Sequence, residues 1–488
     1  MRNILFDNII QHLKRAVRKI LPYKNIETVE HIESPLSSEM VNVLDLWYDM
    51  YLDRSPWLSD EVKSLNLAAQ ICSELARDVT IEMKCNITGP VGSDGESTSN
   101  PRAEFLSKEF ERLMENLRPK LEQGCAAGGM AIKPYPKNGH IYFDFDMAWS
   151  LYPIAFGDDG ELTDVIFRDT FTEGKTVYTR LERHTVSGHD VKITQRAFKS
   201  ETREAIGVEI PLSSVEAWST LVPEATVKAS DGPLFGWFKT ASANSVDVDS
   251  PMGVSVFAKA VDTIREADEQ YSRFLWEFEG SELAVDVDPS VLRPKKDGKG
   301  QEMPRLNKRL FRGVDLNSDE SYHVFNPTIR DASLIAGLTQ ILLRIEDLCG
   351  LARGSLSNVQ QEARTATEIK HMRQRTYITV ADNQKALEHC LTDVIRAMDK
   401  YATLYNLAPE GEYDVSFEWD DSVLNDTAQQ LAERLELHSA GLLGDAELRQ
   451  WYFGETASQA QAALETIRAE QLAKAASLIP GLGGPSIP

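Results

Sequence analysis

Cysteine is scarce in this sequence, and long hydrophobic runs are missing from it. Five cysteines occur among 488 residues; their number is odd, they lie far apart, and none forms a C-x-x-C pair. A disulfide framework and a zinc site are therefore not expected, and a reducing cytoplasm is the natural compartment. No apolar stretch is long enough to span a bilayer. The five are Cys72, Cys85, Cys125, Cys349 and Cys390.

Basic residues are also in short supply, with 52 lysines and arginines against 75 aspartates and glutamates and a formal net charge of −23. This balance argues against a protein that coats nucleic acid, because neutralising phosphates requires a basic surface. It is compatible with a surface along which DNA passes without binding. Hydrophobic residues make up 42% of the chain and charged residues 26%, as in folded globular proteins. The length predicts roughly two to four packing units.

Motifs for enzyme chemistry are absent or incomplete. The string GKT at 174–176 ends like a phosphate-binding loop, but Asp169 stands where that loop needs its first glycine, so a turn is predicted. The string GCAAGG at 124–129 resembles a pocket behind a nucleophilic Cys125. Small residues between a helix and a strand more often form a tight packing turn, which is our prediction. The histidines show no metal-binding spacing, so neither a cofactor nor a catalytic residue is expected.

Two acidic pairs are the remaining candidates for chemistry. Asp144 and Asp146 alternate on a predicted strand, and carboxylates in that arrangement can hold Mg²⁺ in a nuclease. We expect both on the solvent face of that strand, and we expect Asp420 and Asp421 in a turn. A metal-dependent nuclease using Asp144 and Asp146 stays open as an alternative. Divalent-ion-dependent DNA cleavage by the pure protein would favour it.

The N-terminus is basic and amphipathic. Apolar residues recur at helical spacing over 4–20, with four lysines and arginines between them. A helix of this kind can lie on a membrane surface, so a membrane-associated oligomer is a further alternative, which flotation with liposomes would test. We expect the helix to dock on protein instead, and no membrane partner.

Hydrophobic periodicity predicts a helix-rich α+β fold. A period of two from 130 to 227, punctuated by the turns GDDG and SGHD, predicts antiparallel strands, and 413–419 is predicted as a lone strand. A loop is predicted over 86–101. In the strongest helical pattern, 253–280, Asp268 takes one position of the apolar seam. Helices are predicted over 36–84, 102–122, 253–280, 328–349 and 365–407, with a helical unit over 423–478 broken at Gly441, Gly444 and Gly454.

Residues 292–312 form a basic run inside this acidic protein. Eight basic side chains are opposed there only by Asp297 and Glu302. The run lies between two strong helices that would otherwise make a simple hairpin, which indicates a functional tip that binds something acidic. The eight are Arg293, Lys295, Lys296, Lys299, Arg305, Lys308, Arg309 and Arg312.

The order of helix, basic tip, helix, glycine-broken loop and very long helix resembles the portal proteins of siphovirus-type tailed phages, which carry double-stranded DNA. Four strings carry the resemblance, most densely from about 250 to 455. They are SPMGVSVFAKAVDTIREADEQYSRFLWEFEGSE for a first stem helix, FNPTIRDASLIAGLTQILLRIEDLCGLARGSLSN for a second stem helix and tunnel loop, ARTATEIKHMRQRTYITV for the start of a long helix, and YDVSFEWDDSVLNDTAQQLAERLELHSAGLLGDAELRQWYFG for a return strand and crown.

The resemblance implies a non-enzymatic portal subunit in a dodecameric ring at one capsid vertex of the virion, assembled in the host cytoplasm. Its implied partners are double-stranded DNA, terminase, a head–tail adaptor, and the major capsid and scaffolding proteins. The implied parts are a wing over 1–252 (β-rich at 130–227), stem helices at 253–280 and 328–349, a clip at 281–327, a tunnel loop at 350–364, a wing-completing long helix and strand at 365–422, a crown at 423–479 and a flexible tail at 480–488.

The tunnel loop implied at 350–364 is neutral and polar in composition. Gly350 and Gly354 give it conformational freedom. Neutral polar side chains can touch a phosphate backbone through weak hydrogen bonds, without the counterion-release affinity of lysine or arginine. We therefore expect DNA contacts that form and break as the duplex slides. The predicted contact residues are Ser355, Ser357, Asn358, Gln360 and Gln361.

Overall fold

A computed structural model defines the fold, and its coordinates describe most of the chain. The predicted N-terminal helix over 4–20 and the acidic pair Asp420 and Asp421 lie outside the described residues. None of the helices in the described part of the chain is long and apolar enough to cross a membrane. The described ranges are 23–32, 35–81, 83–90, 100–202, 205–287, 293–294, 301–302, 311–313, 322–357, 366–419, 427–454 and 457–477.

The described helices follow the predicted order but differ at several boundaries. The predicted helix 36–84 is two helices with turns and bends between them, and its last residues begin a strand. The ten are α1 Tyr23–Glu30, α2 Ser38–Tyr51, α3 Leu67–Thr80, α4 Pro101–Ala127, α5 Val261–Gly280, α6 Asp331–Cys349, α7 Ala366–Leu404, α8 Thr427–Ser439, α9 Asp445–Phe453 and α10 Ala457–Ser477.

Helix α4 continues through most of the string that was predicted as a turn. Asn100 caps its start by accepting from the backbone N–H of Ala103, and the helix ends at Gly128, whose φ of 82° places it in the left-handed region. A side chain at Gly128 would also meet the backbone of Gly253 at 2.7 Å. The string is tightly packed as predicted, but only Gly128 forms the turn, because Gly129 already begins the next strand.

Helix α5 begins eight residues later than predicted. The backbone N–H of Val256 donates to the carbonyl of Cys125 at 3.1 Å, and the Thr240 hydroxyl donates to the carbonyl of Val254 at 2.6 Å. These long-range bonds hold residues 253–257 against the end of α4, so their backbone groups are satisfied outside a helix. The helical spacing of their side chains therefore misled the sequence prediction.

Sixteen strands are present among the described residues. Eight of them lie in the predicted β-rich section, which confirms that prediction. The sixteen are β1 Met83–Thr88, β2 Gly129–Lys137, β3 His140–Met147, β4 Tyr152–Phe156, β5 Leu162–Glu173, β6 Thr176–Ser187, β7 Asp190–Ser200, β8 Val208–Ile210, β9 Glu224–Val227, β10 Gly236–Lys239, β11 Ala284–Val287, β12 Arg293–Pro294, β13 Gln301–Glu302, β14 Phe311–Gly313, β15 Tyr322–Phe325 and β16 Asp414–Trp419.

The largest sheet joins six of these strands in the order β4-β5-β6-β7-β8, with β9 also paired to β7. The turns GDDG, GKT and SGHD connect its consecutive strands. Gly174 has a φ of 62° in an open turn, so this segment is an ordinary hairpin and not a phosphate-binding loop. Three strands form a second sheet in the order β10-β2-β3.

Strand β16 was predicted to stand alone, and that prediction is wrong. It pairs antiparallel with β1, from Met83 opposite Trp419 to Thr88 opposite Asp414. The partner lies partly in a segment, 86–101, that was predicted as a loop. The β1 segment is too short and too mixed in polarity for its sequence to predict a strand. Only pairing with the distant β16 stabilises it.

The main hydrophobic core gathers side chains from α2, α3, α4, β2, β3 and α7. The seam residue Asp268 of α5 is buried at its edge, where it accepts hydrogen bonds from the Trp57 indole and the backbone N–H of Leu65, both at 2.8 Å. These two hydrogen bonds replace the ones that the carboxylate would make to water if it were exposed. The polar seam position therefore ties α5 to the segment before α3.

Contacts divide the chain into two compact units, one up to Trp419 and one from Asp420 onward. The second unit contains α8, α9 and α10, with breaks around the predicted glycines: Gly441 and Gly454 both have positive φ. Leu435, Leu437 and Leu442 of this unit are exposed in the single chain.

Candidate functional site: the loop after α6

Helices α5 and α6 pack as a pair that brackets residues 281–330. Arg330 and Glu277 form a clamp that joins the two ends of this segment. The backbone N–H and guanidinium of Arg330 make three hydrogen bonds of 2.7–3.1 Å to the Glu277 carboxylate. Glu277 lies in the last turn of α5 and Arg330 immediately precedes α6, so the two helices are joined where the chain leaves and returns. This clamp was not predicted from the sequence.

The segment within the clamp contains the predicted basic tip. Strands β14, β11 and β15 form a small sheet there, and β12 pairs with β13. Two of the eight basic residues lie on these strands, Arg312 in register with Asp286 and Arg293 in register with Glu302. The other six lie outside the described residues: Lys295, Lys296, Lys299, Arg305, Lys308 and Arg309.

The loop that leaves α6 begins with a glycine for a steric reason. Gly350 caps the helix with a φ of 71°, and a side chain there would approach the Thr379 hydroxyl of α7 to 2.4 Å. Gly354 has a φ of 100°, which also favours glycine. Both glycines that the sequence analysis singled out therefore occupy backbone conformations that other residues rarely adopt.

Glu346, in the last turn of α6, organises this loop from within. Its side chain is fully buried, and its carboxylate accepts hydrogen bonds from three backbone N–H groups and one hydroxyl. A buried carboxylate is stable only with such compensation, and hydrogen bonds to a charged acceptor are stronger than neutral ones. The donors are Gly354 N at 3.1 Å, Leu356 N at 2.7 Å, Ser357 N at 2.7 Å and Ser357 Oγ at 3.2 Å.

Sequence reasoning missed Glu346, although a signal was available. It is an acidic residue on the side of the helix that also carries Ile345 and Cys349, and it lies one turn before the capping Gly350. An isolated charge at a buried helical position requires partners, and the nearest backbone donors are those of the following loop. The loop over 350–357 is therefore a fixed turn rather than a freely hinged connection.

Two of the predicted contact residues are described. Ser357 is buried, and its hydroxyl donates to Glu346, so it does not face outward in the single chain. Ser355 is half-buried, and Arg353 beside it is exposed and ion-paired with Asp347 at 2.9 Å. The loop thus presents a basic side chain that the sequence reading left out. Asn358, Gln360 and Gln361 lie outside the described residues.

The acidic pair of the nuclease alternative belongs to a cluster of charges between two sheets. Asp144 is exposed, as expected, but Asp146 is half-buried, and burial raises its pKa to about 6. The ammonium of Lys133 lies 3.9 Å from Asp144 and 3.2 Å from Glu182. Lysine therefore supplies the positive charge at this pair, and neither aspartate belongs to a metal-ligand group in the described part of the chain.

Cys125 offers no nucleophile either. It is fully buried, and burial raises the pKa of its thiol to about 12, so the thiolate that a catalytic cysteine requires is not formed at neutral pH. Fold and site together define a helix-rich α+β protein in which a buried carboxylate holds the loop that follows α6.

The chain matches the family model described as "Phage portal protein, SPP1 Gp6-like" over residues 91–474, well over half of its length. It therefore belongs to the phage portal protein family, as the resemblance of its sequence predicted. Portal proteins are structural rather than catalytic, and the family's place is the capsid vertex of the virion. No curated relative matches the chain.

Proposed function

We propose that this chain assembles into a dodecameric ring at a capsid vertex, through which double-stranded DNA is packaged and ejected and by which head and tail are joined. The observation that carries the proposal is the loop over 350–357, which Glu346 fixes between two long helices in a member of the portal family. In this arrangement α5 and α6 form the stem, and the segment between them is the clip.

Charge supports a channel along which DNA slides. DNA carries one phosphate charge per ~1.7 Å of axis, and a densely basic lining would bind it and slow its passage. Because salt screens charges beyond about 8 Å, the residues at the bore matter more than the net charge of the ring. In the loop, Asp347 offsets the charge of Arg353, which leaves a weakly charged surface for the DNA.

The proposed partners follow from the same arrangement. The basic segment 292–312 would dock acidic surfaces of terminase during packaging and of a head–tail adaptor afterwards, while capsid and scaffolding proteins would surround the ring. Electron microscopy of the purified full chain tests the central claim. Rings with a central hole support it, and a chain that remains monomeric under all conditions contradicts it.

Reversing the charge of Lys295, Lys296, Lys308 and Arg309 to Glu should leave rings intact but abolish packaging or tail joining, because the docking surface would repel an acidic partner. Ring formation is measured by electron microscopy and phage yield by plaque titre. The control carries the same four reversals on exposed lysines elsewhere, at Lys137, Lys175, Lys199 and Lys228, and should keep normal yield. Equal phage yields from the two quadruple variants would show that the clip does not dock these partners.

Substituting Ser355→Lys should slow packaging, most strongly at low salt, since each added cation strengthens DNA binding through counterion release. Ser355 is the suitable position because, unlike Ser357, it does not hold the loop together. Packaging rate against ionic strength is the measurement, with Ser213→Lys on an exposed surface as the control. A variant with the wild-type rate at low ionic strength would argue that the loop does not touch DNA.

A further inference from the structure

The turn between β4 and β5 meets α7 at a group of three metal-ligating side chains. Among the described residues, Glu161, His389 and Asp393 form the one such group, with one ligand atom of each lying within 4.8 Å of the other two. His389 Nδ1 is 3.9 Å from a carboxylate oxygen of Glu161 and 3.9 Å from Asp393 Oδ2. We propose that these three residues bind a divalent transition-metal ion of the zinc class.

The backbone fixes both of the elements that carry the ligands of this site. His389 and Asp393 are four residues apart on α7, which places them one above the other on the same face of the helix. Glu161 is held by the turn: Gly157 N donates to the Glu161 carbonyl at 2.8 Å, and Glu161 N donates to Asp159 Oδ1 at 3.0 Å. The site thus joins a rigid helix to a hydrogen-bonded turn, so little ordering is needed when an ion binds.

An outer partner orients one of the ligands. Arg396 binds Asp393 Oδ1 at 3.0 Å, which leaves Oδ2, the oxygen nearer His389, available to an ion. Carboxylates that bind metals are usually held in this way by a second hydrogen-bonding group.

The kind of ligand atoms at this site indicates which metal ion it would bind. One imidazole nitrogen and two carboxylate oxygens suit zinc and its neighbours, whereas magnesium and calcium prefer oxygen alone. Bond lengths near 2.0–2.2 Å require neighbouring ligand atoms roughly 3–3.5 Å apart. The two 3.9 Å distances from His389 must contract by about half an ångström, which the exposed His389 side chain allows by rotation. The two carboxylates lie within 4.8 Å of each other, and the half-buried Glu161 side chain would close the remaining gap. Water would complete the coordination on the open side.

The bound ion would fasten the six-stranded sheet to α7. These elements already share a small apolar cluster that includes Val191, Val227 and Ala397. A ligand that binds only the folded state stabilises it in proportion to its concentration over its dissociation constant. This inference concerns stability of the subunit and does not depend on the portal role.

The full chain, freed of metal with a chelator, would be titrated with Zn²⁺ by calorimetry and with Co²⁺ by visible absorption, and melted with and without Zn²⁺. We expect one ion per chain, a higher melting temperature with Zn²⁺, and no displacement of Co²⁺ by excess Mg²⁺. His389→Ala should weaken binding by at least about tenfold, because even outer-shell substitutions cost that much. Glu161→Gln should behave in the same way.

The matched control is His189→Ala. His189 lies 2.8 Å from Asp231 in an exposed pair that lacks a third ligand, so this variant should bind Zn²⁺ like wild type. Because His389 is exposed, its variant should also keep the metal-free melting temperature, which separates loss of the ion from loss of the fold. The proposal is overturned if no ion binds, if His389→Ala binds as tightly as wild type, or if Mg²⁺ competes equally.

Discussion

Replacing Glu346 by Ala should abolish DNA packaging while leaving rings able to form. The substitution removes the acceptor of four hydrogen bonds that fix residues 350–357. Each buried donor left without a partner costs about 1–3 kcal/mol. The loop cannot keep its shape against a penalty of that size, so we expect it to open locally while the rest of the chain stays folded.

Hydrogen exchange and packaging assays check the two parts of this expectation. Amides of Leu356 and Ser357 should lose protection, and packaging should fall to background, while electron microscopy still shows rings. Asp347→Asn is the control, because it removes a neighbouring carboxylate on the same helix turn that makes an exposed ion pair with Arg353. Such pairs contribute about 0–1 kcal/mol. Normal packaging by a Glu346→Ala ring with an opened loop would show that loop order is irrelevant to DNA passage.

Replacing Glu182 by Gln should destabilise the subunit by about 3–5 kcal/mol, since it leaves buried cations without their counter-charge. Glu182 lies between Lys133 at 3.2 Å, Arg180 at 3.3 Å and His184 at 2.8 Å. Chemical denaturation measures the change. Glu209→Gln, which loses a more exposed pair with Arg196, should cost about 0–1 kcal/mol. Equal losses from the two variants would contradict a special role for the buried cluster.

The pH dependence of this difference has a definite sign. Burial alone would raise the pKa of Glu182, but Lys133, His184 and Arg180 together hold it well below its usual range. Stabilisation by a depressed carboxyl is complete above its unfolded pKa of about 4.3 and is lost as pH falls through the folded pKa. The advantage of wild type over Glu182→Gln should therefore be constant near neutrality and shrink in acid. Burial lowers the pKa of His184, so Lys133 and Arg180 are the cations that Glu182 neutralises.

Local sequence pattern correctly predicted the helices and strands that are stabilised by their own amphipathic face. The helices now seen at Val261–Gly280, Asp331–Cys349 and Ala366–Leu404 were each predicted, as were the antiparallel strands between 130 and 227. Their periods of 3.6 and 2 are properties of the backbone, so they can be read without knowing the neighbours. The resemblance to portal proteins followed from the order of these elements, and the family match confirms it.

Local sequence pattern failed where contacts with distant segments set the backbone conformation. The pairing of β1 with β16 joins residues more than 300 positions apart, and the late start of α5 depends on a bond from Val256 to Cys125. Glu346 was overlooked because its role is defined by the amides it meets after the chain turns back. In the same way, no spacing rule connects Glu161 to His389 and Asp393, which only the packing of the turn on α7 brings together.

The sequence by itself determined the class of this protein: an acidic, cysteine-poor, helix-rich α+β chain of the portal family, with a basic segment between two helices and a glycine-flanked loop after them. Only the tertiary structure decided which polar side chains of that loop point inward, which carboxylates are buried, and what partners they have. The reason is physical. Periodicity and composition depend on residues a few positions apart, whereas the stability of a buried charge depends on donors that folding brings from elsewhere in the chain.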